Sequence, residues 1–165
     1  MITVRAVRAG EQTPLRELRL RAIGEAPEAF GGTLAEELTR PDEAWSELAE
    51  GTGPDGSEVG LYVVIDAERW IGMAAGRWFE RSRGIVQLWG MWVEPGRRGE
   101  RIGERLVDAV RGWAAGRDAR FLRLGVIEDS PAIRFYERLG FVDTGERKPL
   151  QRDPSITAVY MARPV

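Results

Sequence analysis

The sequence predicts an α/β fold, a single domain built on a mixed β-sheet that carries helices on both faces. Its 165 residues suit one domain with one hydrophobic core. Between residues 59 and 93, three strand-like segments follow one another with only short polar links, which is typical of an antiparallel meander. From residue 100 onward, helical and extended periodicities alternate. The expected order of elements over residues 1–165 is therefore β-α-α-β-β-β-α-β-α-β-β.

The elements before the meander are predicted to be one strand and two helices. Residues Ile2–Val7 alternate as a strand does, and a helix is predicted to begin at Thr13-Pro14. The apolar stripe of that helix consists of Leu15, Leu18, Ala22 and Ile23. A second helix is expected over Asp42–Glu50. Residues 26–40 are less regular, and residues 51–56 are predicted to be a turn-rich loop.

The remaining elements are the meander and the alternating second half. The meander strands are predicted over Val59–Asp66, Trp70–Phe79 and Gly84–Val93. A long helix follows over Glu100–Ala115, with Ile102, Leu106, Ala109, Val110 and Trp113 on one face. After it we expect a strand over Arg120–Ile127, a helix over Pro131–Leu139 that ends at Gly140, and closing strands over Phe141–Thr144 and Ile156–Met161.

The composition contains neither histidine nor cysteine. This excludes Ser-His-Asp and Cys-His triads, thiolate chemistry and imidazole general bases. It also removes the ligands of almost every ordinary zinc site, so we expect no bound metal. The only lysine is Lys148, and its polar, turn-rich surroundings are a poor place for a Schiff-base lysine.

Charge and hydropathy limit the partners of the protein. Twenty-four basic and 26 acidic residues give a net charge of −2, which lacks the positive field that attracts nucleic acid. No segment approaches the roughly 18 apolar residues of a membrane span. The first residues resemble a strand rather than a signal peptide. We therefore expect a cytoplasmic protein without nucleic-acid or membrane partners.

The most informative segment leads from the third meander strand into the long helix, LWGMWVEPGRRGERIG at residues 88–103. It places a strand end against an arginine- and glycine-rich helix start. Helix N-termini present unpaired N–H groups and partial positive charge, so this turn can hold a phosphate or pyrophosphate. The alternative is that Pro95-Gly96 is only a turn and that Arg97, Arg98 and Arg101 form a solvated basic end.

Other phosphate-binding motifs fit the sequence less well. Gly51, Gly53 and Gly56 match G-x-G-x-x-G, but Pro54 interrupts the match and a strand follows where that motif needs a helix. The chain contains no G-x-x-x-x-G-K-[ST] motif.

The second informative segment is VIEDSPAIRFYERLGF, residues 126–141. Its local signals describe a short helix, with Asp129 or Ser130 as the cap, Pro131 in the first turn and Gly140 at the end. Tyr136 lies in the middle of this helix. Its ordinary interpretation is core packing with a surface hydroxyl, and its functional interpretation is proton donation.

Together the two segments resemble the two most recognisable motifs of the GNAT superfamily of acetyl-CoA-dependent N-acetyltransferases, and the resemblance extends from residue 2 to residue 161. The central family motif, [QR]-x-x-G-x-[GA] after a strand ending in V-x-P, is matched by Arg98 and Gly103, whereas Arg101 replaces the middle glycine. The later motif, N-x-x-A-x-x-x-Y-x-x-x-G-F, is matched by Ala132, Tyr136, Gly140 and Phe141, with Asp129 in place of asparagine.

The resemblance implies that the third meander strand splays from its neighbour at a bulge, and that the pantetheine arm of acetyl-CoA, the co-substrate, enters the gap. A free N–H near Met91 would polarise the thioester carbonyl, and the amides of residues 98–103 would hold the pyrophosphate. Tyr136 would donate a proton to the departing thiolate. The implied cofactor-binding residues are Met91, Trp92, Val93, Arg98, Gly99, Glu100, Arg101, Ile102, Gly103, Asp129 and Phe135.

Three positions depart from the family pattern. We expect Arg101 to occupy a first-turn helical position, where a side chain is sterically allowed and the amide remains available. Asp129 can accept a hydrogen bond as asparagine does but cannot donate one. Some relatives use a strand glutamate as the base, and the aligned residue is Gln87, which cannot take a proton. Candidate bases are therefore Glu36, Glu37 and then Glu28, with a relay through water as the alternative.

The acceptor is expected to bind between the N-terminal helices and the loops that join the strands. The candidate substrate-binding residues are Phe30, Glu36, Glu37, Trp78, Gln87 and Trp89. A primary amine of a small or amino-acid-like molecule is the first choice of acceptor, and a protein or peptide amine is the second. A CoA-binding regulatory module without transfer activity and a nucleotide-binding domain are alternatives from other classes. The resemblance also admits a homodimer, because dimers are common in that family.

Overall fold

A computed structural model describes residues 1–51 and 58–165, so the predicted turn-rich loop lies outside the described residues except for Gly51. In this part of the chain, seven strands form one sheet in the order β1-β2-β3-β4-β5-β7-β6. The strands are β1 Ile2–Ala6, β2 Val59–Asp66, β3 Arg69–Glu80, β4 Ile85–Val93, β5 Phe121–Ile127, β6 Val142–Pro149 and β7 Thr157–Pro164. All neighbours are antiparallel except β4 and β5.

The helices confirm the predicted order with one addition. They are α1 Gln12–Glu25, α2 Leu34–Thr39, α3 Asp42–Glu50, α4 Ile102–Ala115 and α5 Ala132–Arg138. The added helix is α2, which lies in the segment expected to be irregular. Its sequence signal is a capping box, in which Thr33 and Glu36 each accept a hydrogen bond from the other's backbone N–H. None of the helices in the described part of the chain is long and apolar enough to span a membrane.

Each face of the sheet buries a separate hydrophobic cluster. On the α1 face, helices α1 and α3 bury their apolar stripes, including Leu15, Leu18, Ile23 and Trp45, against β2 and β3. On the α4 face, helices α4 and α5 pack Leu106, Val110 and Tyr136 on the opposite side of the same strands and on β5. The apolar positions predicted for α1 and α4 are therefore the ones that attach these helices to the sheet.

Strands β4 and β5 lie side by side over only part of their length. Three residue pairs join them, from Ile85 with Phe121 to Gln87 with Arg123. Beyond these pairs β4 runs on to Val93 and β5 to Ile127 with no further pairing between them. This confirms the splayed central strand that the family resemblance implies, and it opens a gap in the sheet.

A β-bulge in β4 lies beside this gap. On β3, Ala75 pairs with Trp89 and Met73 pairs with Trp92, so Gly90 and Met91 together face one residue of β3. Gly90 has a φ of +61°, in the left-handed region that favours glycine. The bulge bends β4 at the point where it leaves β5.

Gly60 of β2 provides a test of the packing on the α4 face. A Cβ at this position would lie 2.5 Å from the buried Trp113 ring of α4, so we expect Gly60→Ala to lower the free energy of unfolding by about 1–3 kcal/mol. Gly112 lies beside Trp113 in α4, and a Cβ there meets no atom within 4 Å, so Gly112→Ala should raise the free energy of unfolding by up to about 1 kcal/mol. Urea denaturation of both variants measures the contrast, and equal stabilities would show that Trp113 does not pack as described.

Candidate active site

The turn before α4 brings backbone N–H groups to the rim of the gap. A 3₁₀ turn over Pro95–Arg97 leads from β4 through Gly99, at a φ of +89°, to the start of α4 at Ile102. The first N–H groups of this 14-residue helix have no partners within the helix. They and the helix dipole make this end of α4 suitable for an anionic group.

Arg101 has a different backbone conformation from the predicted one. It precedes the helix with a φ of +61° and a ψ of 17°, and is not in its first turn, so the expectation of a helical conformation was wrong. The left-handed region costs an L-residue roughly 1–2 kcal/mol, which explains why the resembling motif has glycine here. The side chain is 79% exposed and its guanidinium pairs with Glu104 at 2.8 Å.

The other arginines of the turn are held by carboxylates. Arg97 pairs with Asp66 and Glu100, both at 2.9 Å. Arg98 donates to the Val93 carbonyl at 3.0 Å and pairs with Glu25 of α1 at 2.8 Å. These contacts connect the end of β4 to α1, so Arg98 helps to fix the turn and is not a free cation.

Glu25 also fixes the orientation of Trp92. The Trp92 Nε1 donates to the Glu25 carboxylate at 2.8 Å, and this bond together with Arg98 holds the pKa of that carboxyl below its ordinary value. The indole of Trp92 is buried on the α1 face. Its side chain therefore lies away from the α4 N-terminus, and only its backbone belongs to the β4 rim of the gap.

Gly103, Met91 and Phe135 meet at the gap. A Cβ on Gly103 would lie 2.9 Å from the Phe135 ring and 3.0 Å from the Met91 Cε. The structure thus brings together residues from β4, α4 and α5 that are far apart in the chain. Val93 and Ile102 are buried in the same cluster, whereas Gly99 and Glu100 are exposed on the turn.

Tyr136 is buried on α5 next to two aromatic rings. It makes edge contacts with Phe135, at a centroid distance of 5.1 Å, and with Phe141, at 5.7 Å. Burial raises the pKa of the Tyr136 phenol above its ordinary value, because the charged phenolate is poorly solvated there. The hydroxyl therefore stays protonated around neutral pH and keeps a proton that it can donate in a hydrogen bond.

The loop between β5 and α5 distinguishes the two predicted caps. Ser130 precedes the N-cap residue Pro131, and its Oγ accepts from the Ala132 N–H at 3.2 Å, so of the two it is the one that contacts the helix start. Asp129 is exposed and has a φ of +65°, a conformation that Asp and Asn tolerate better than most residues. Its carboxylate is thus left at the carboxyl end of β5 without a capping role.

The predicted acceptor residues divide between the two faces of the sheet. Phe30, Gln87 and Trp89 lie on the α1 face, with Phe30 and Trp89 in or against its cluster. Trp78 does not join them, because it pairs with Val86 and packs against the α4-face cluster. Strand alternation places neighbouring side chains on opposite faces, so Trp78 and Trp89 cannot line one slot.

The two candidate bases on α2 already have partners. Glu36 is exposed and accepts from the Thr33 N–H at 2.7 Å in the capping box. Glu37 is only 3% exposed and pairs with Arg19 and Arg40, each at 3.0 Å. Both carboxylates are therefore already engaged as acceptors within the protein, Glu36 in the helix cap and Glu37 in a buried cluster with two guanidinium groups.

A buried arginine was missed by the sequence analysis. Arg123 of β5 is 7% exposed, lies 3.9 Å from the Tyr160 ring centroid, and donates to the Gln87 Oε1 at 2.7 Å and to Glu146 at 2.8 Å. Its signal is the single charged residue within the apolar run FLRLGVI. Gln87 is therefore a hydrogen-bond acceptor for an arginine on the α1 face.

Arg101 provides a test of the turn conformation. Because Gly adopts positive φ at no steric cost and a β-branched residue is strained there, we expect Arg101→Gly to be at least as stable as the native protein. Arg101→Val should lose about 1–2 kcal/mol. Chemical denaturation measures both, and a stable valine variant would contradict the left-handed geometry.

Comparison with known proteins identifies the family. The model of the acetyltransferase (GNAT) family matches residues 25–141, well over half of the chain. A search of curated proteins gives no match.

Three solved structures are similar to this chain. A GNAT-family acetyltransferase from Streptococcus pneumoniae has a TM-score of 0.82 at 15% identity, over 100% of this chain and 99% of that chain. The ribosomal-protein-S18-alanine N-acetyltransferase from Escherichia coli has a TM-score of 0.69 at 17% identity, over 100% and 94%. An aminoglycoside 6'-N-acetyltransferase complexed with coenzyme A has a TM-score of 0.70 at 16% identity, over 98% and 96%.

At 15–17% identity, the similarity to these three structures shows a shared fold only. The match to the family model over residues 25–141 shows that the chain is a member of the family. The chain belongs to the acetyltransferase (GNAT) family and is an acyltransferase.

Proposed function

We propose that this protein transfers the acetyl group of acetyl-CoA directly to the primary amine of a small, amino-acid-like acceptor. The observation that carries the proposal is the gap between β4 and β5, with the α4 N-terminus at its rim on one face of the sheet and Trp89 and Gln87 on the other. A cofactor that enters from the α4 face leaves the α1 face open for the amine.

The residues around the gap fit acetyl-CoA, which supplies an acetyl group activated as a thioester. The unpaired edges of β4 and β5 offer backbone groups for a pseudo-strand. Beside this edge, the bulge at Gly90 and Met91 interrupts the pairing of β4 with β3. The close packing of Gly103 against Met91 and Phe135 keeps the start of α4 against this edge. Because the neighbouring arginines are already paired and the Arg98 N–H donates to the Pro95 carbonyl, the N–H groups of residues 99–103 would carry most of the pyrophosphate contact.

The transfer requires no covalent enzyme intermediate, which suits a chain without cysteine or histidine. The neutral amine nitrogen forms a bond to the thioester carbon, the carbon–sulfur bond breaks, and the thiolate leaves with the electron pair. A backbone N–H at the bulge near Met91 stabilises the developing oxyanion. Tyr136 donates a hydrogen bond or proton to the leaving thiolate.

The proton lost by the amine has no obvious side-chain acceptor at the position that some relatives use. Gln87 stands there and accepts from Arg123 at 2.7 Å. Glu36 and Glu37 are engaged in a cap and in a buried ion pair. We therefore assign this proton to water on the exposed side of the α1 face, the alternative that needs no single base.

A small acceptor is favoured by the limited open surface on the α1 face. Phe30 is only 6% exposed and covers the cluster beside Trp89, which leaves the exposed Arg77 and the half-buried Gln87 as the neighbouring accessible residues of β3 and β4. A protein or peptide acceptor is the second candidate, because one similar structure is a ribosomal-protein acetyltransferase. Another similar structure, an aminoglycoside acetyltransferase, represents the small-molecule class.

Mass spectrometry after incubation with acetyl-CoA and a pooled library of amines and peptides tests this proposal. We expect one or more acetylated small amines and an equal amount of free CoA thiol. CoA binding without any acetylated product or thiol release would instead identify a regulatory CoA-binding module. Thermal stabilisation by ATP or NAD equal to that by CoA would indicate a nucleotide-binding domain.

Substitution of Tyr136 by phenylalanine tests the leaving-group role. Because phenylalanine keeps the ring contacts with Phe135 and Phe141, the fold and the affinity for acetyl-CoA should be unchanged, whereas kcat should fall about 100-fold or more. Tyr62→Phe, on β2 away from the gap, is the matched control and should keep full activity. A kcat for Tyr136→Phe equal to that of the native enzyme would eliminate the role.

A further inference from the structure

We infer that the acceptor amine also carries an anionic oxygen group, a carboxylate or a phosphate, and that Arg77 binds this group beside Trp89 and Arg19. The inference rests on the proposed function and specifies its substrate class. It is carried by an exposed arginine without an ion pair and two buried donors without hydrogen-bond partners, all judged among the described residues, which meet on the α1 face next to the bulge.

Two guanidinium groups from different elements lie over the Trp89 ring. Arg77 of β3 has its guanidinium carbon 5.5 Å from the ring centroid, and Arg19 of α1 has its own at 5.4 Å. Both distances are within the range of favourable cation–π contact. Trp89 directly precedes the bulge, so this cluster lies beside the backbone where the thioester carbonyl is expected.

The buried part of the cluster has unused hydrogen-bond donors. Glu37 accepts from the Nε and Nη2 of Arg19, but Arg19 Nη1 has no partner among the described residues although only 5% of the residue is exposed. This nitrogen is 3.5 Å from the position of a Cβ on Gly90, so it is directed at the bulge. The buried Trp89 Nε1 likewise has no hydrogen-bond partner in the part of the chain that the structure describes. Unpartnered buried donors are costly, and at a functional site they indicate a missing acceptor atom.

The ion pairs on this face leave an excess of positive charge. Glu37 is shared by Arg19 and Arg40, and Glu146 is shared by Arg123 and Lys148. Arg77 is exposed and has no ion pair among the described residues. An anionic ligand group is therefore attracted to Arg77, whereas a polycationic acceptor is repelled.

The same charge excess also helps the amine to react. Nearby positive charges favour the neutral form of an amine over its ammonium form. An acceptor whose anionic group is held by Arg77 presents its amine close to Arg19 and the bulge. These positive charges increase the fraction of neutral amine, and so reduce the need for the glutamate base that some relatives use.

Kinetics with four groups of acceptors test the inference. The groups are common α-amino acids, their carboxamides, aminoalkyl phosphates such as O-phosphoethanolamine, and polyamines with aminoglycosides. We expect product from the amino acids or the aminoalkyl phosphates, and the group that reacts identifies the anion. In Arg77→Gln, KM for that group should rise about 10- to 100-fold, with partial recovery in Arg77→Lys. Arg138→Gln, an exposed arginine of α5 behind the other face, is the matched control.

A binding experiment keeps the inference testable without turnover. The enzyme–CoA complex is titrated with N-acetyl amino acids, their carboxamides and N-acetylphosphoethanolamine at constant ionic strength, with tryptophan fluorescence as the signal. Saturable binding of the anionic forms alone, lost in Arg77→Gln, supports the inference. Equal binding of the carboxamides, no binding of the anions, or product only from the polyamine group would overturn it. Absence of all transfer with intact anion binding would instead refute the proposed function.

Discussion

The separation of β4 from β5 is the constraint on which the rest of the structure depends. A parallel pair held by three residue pairs, with a bulge at Gly90 beyond them, leaves backbone groups on both strands without partners in the sheet. Such groups in a domain interior are costly unless a ligand or water satisfies them. Helices α4 and α1 flank this opening on opposite faces, so the gap decides where a cofactor and an acceptor can meet.

The second structural requirement is that charge be neutralised close to the gap. The arginine-rich turn before α4 is fixed by Asp66, Glu25, Glu100 and Glu104, so its cations are used to shape the backbone. On the α1 face the buried pair between Arg19 and Glu37 has a large desolvation cost, which its bidentate geometry and the added Arg40 contact offset. Arginines thus fix the backbone of the turn before α4, and on the α1 face Arg19 and Arg77 form the surface that we propose binds the acceptor.

Most of the fold was predictable because it is encoded by local periodicity. The stripe of α1, the boundaries of α3 and the face of α4 all follow from the spacing of apolar residues, and the structure confirms them. Helix α2 was not predicted, because it is only six residues long and its capping box was its only sequence signal. The cofactor residues proposed from the motif are gathered by neighbouring elements, since Gly103, Met91 and Phe135 meet. The acceptor residues were less predictable, because their grouping depends on which face each strand residue occupies.

By itself the sequence determined the order of the elements other than α2, the absence of histidine and cysteine chemistry, and the membership of the family through two motifs of local geometry. Tertiary structure alone decided that Arg101 is left-handed, that Trp78 and Trp89 lie on opposite faces, and that Arg19, Arg77 and Trp89 form one cluster. The physical reason is the range of the interactions. Helix and strand periodicity arises between residues a few positions apart, whereas ion pairs and cation–π contacts join residues that only the folded sheet brings together.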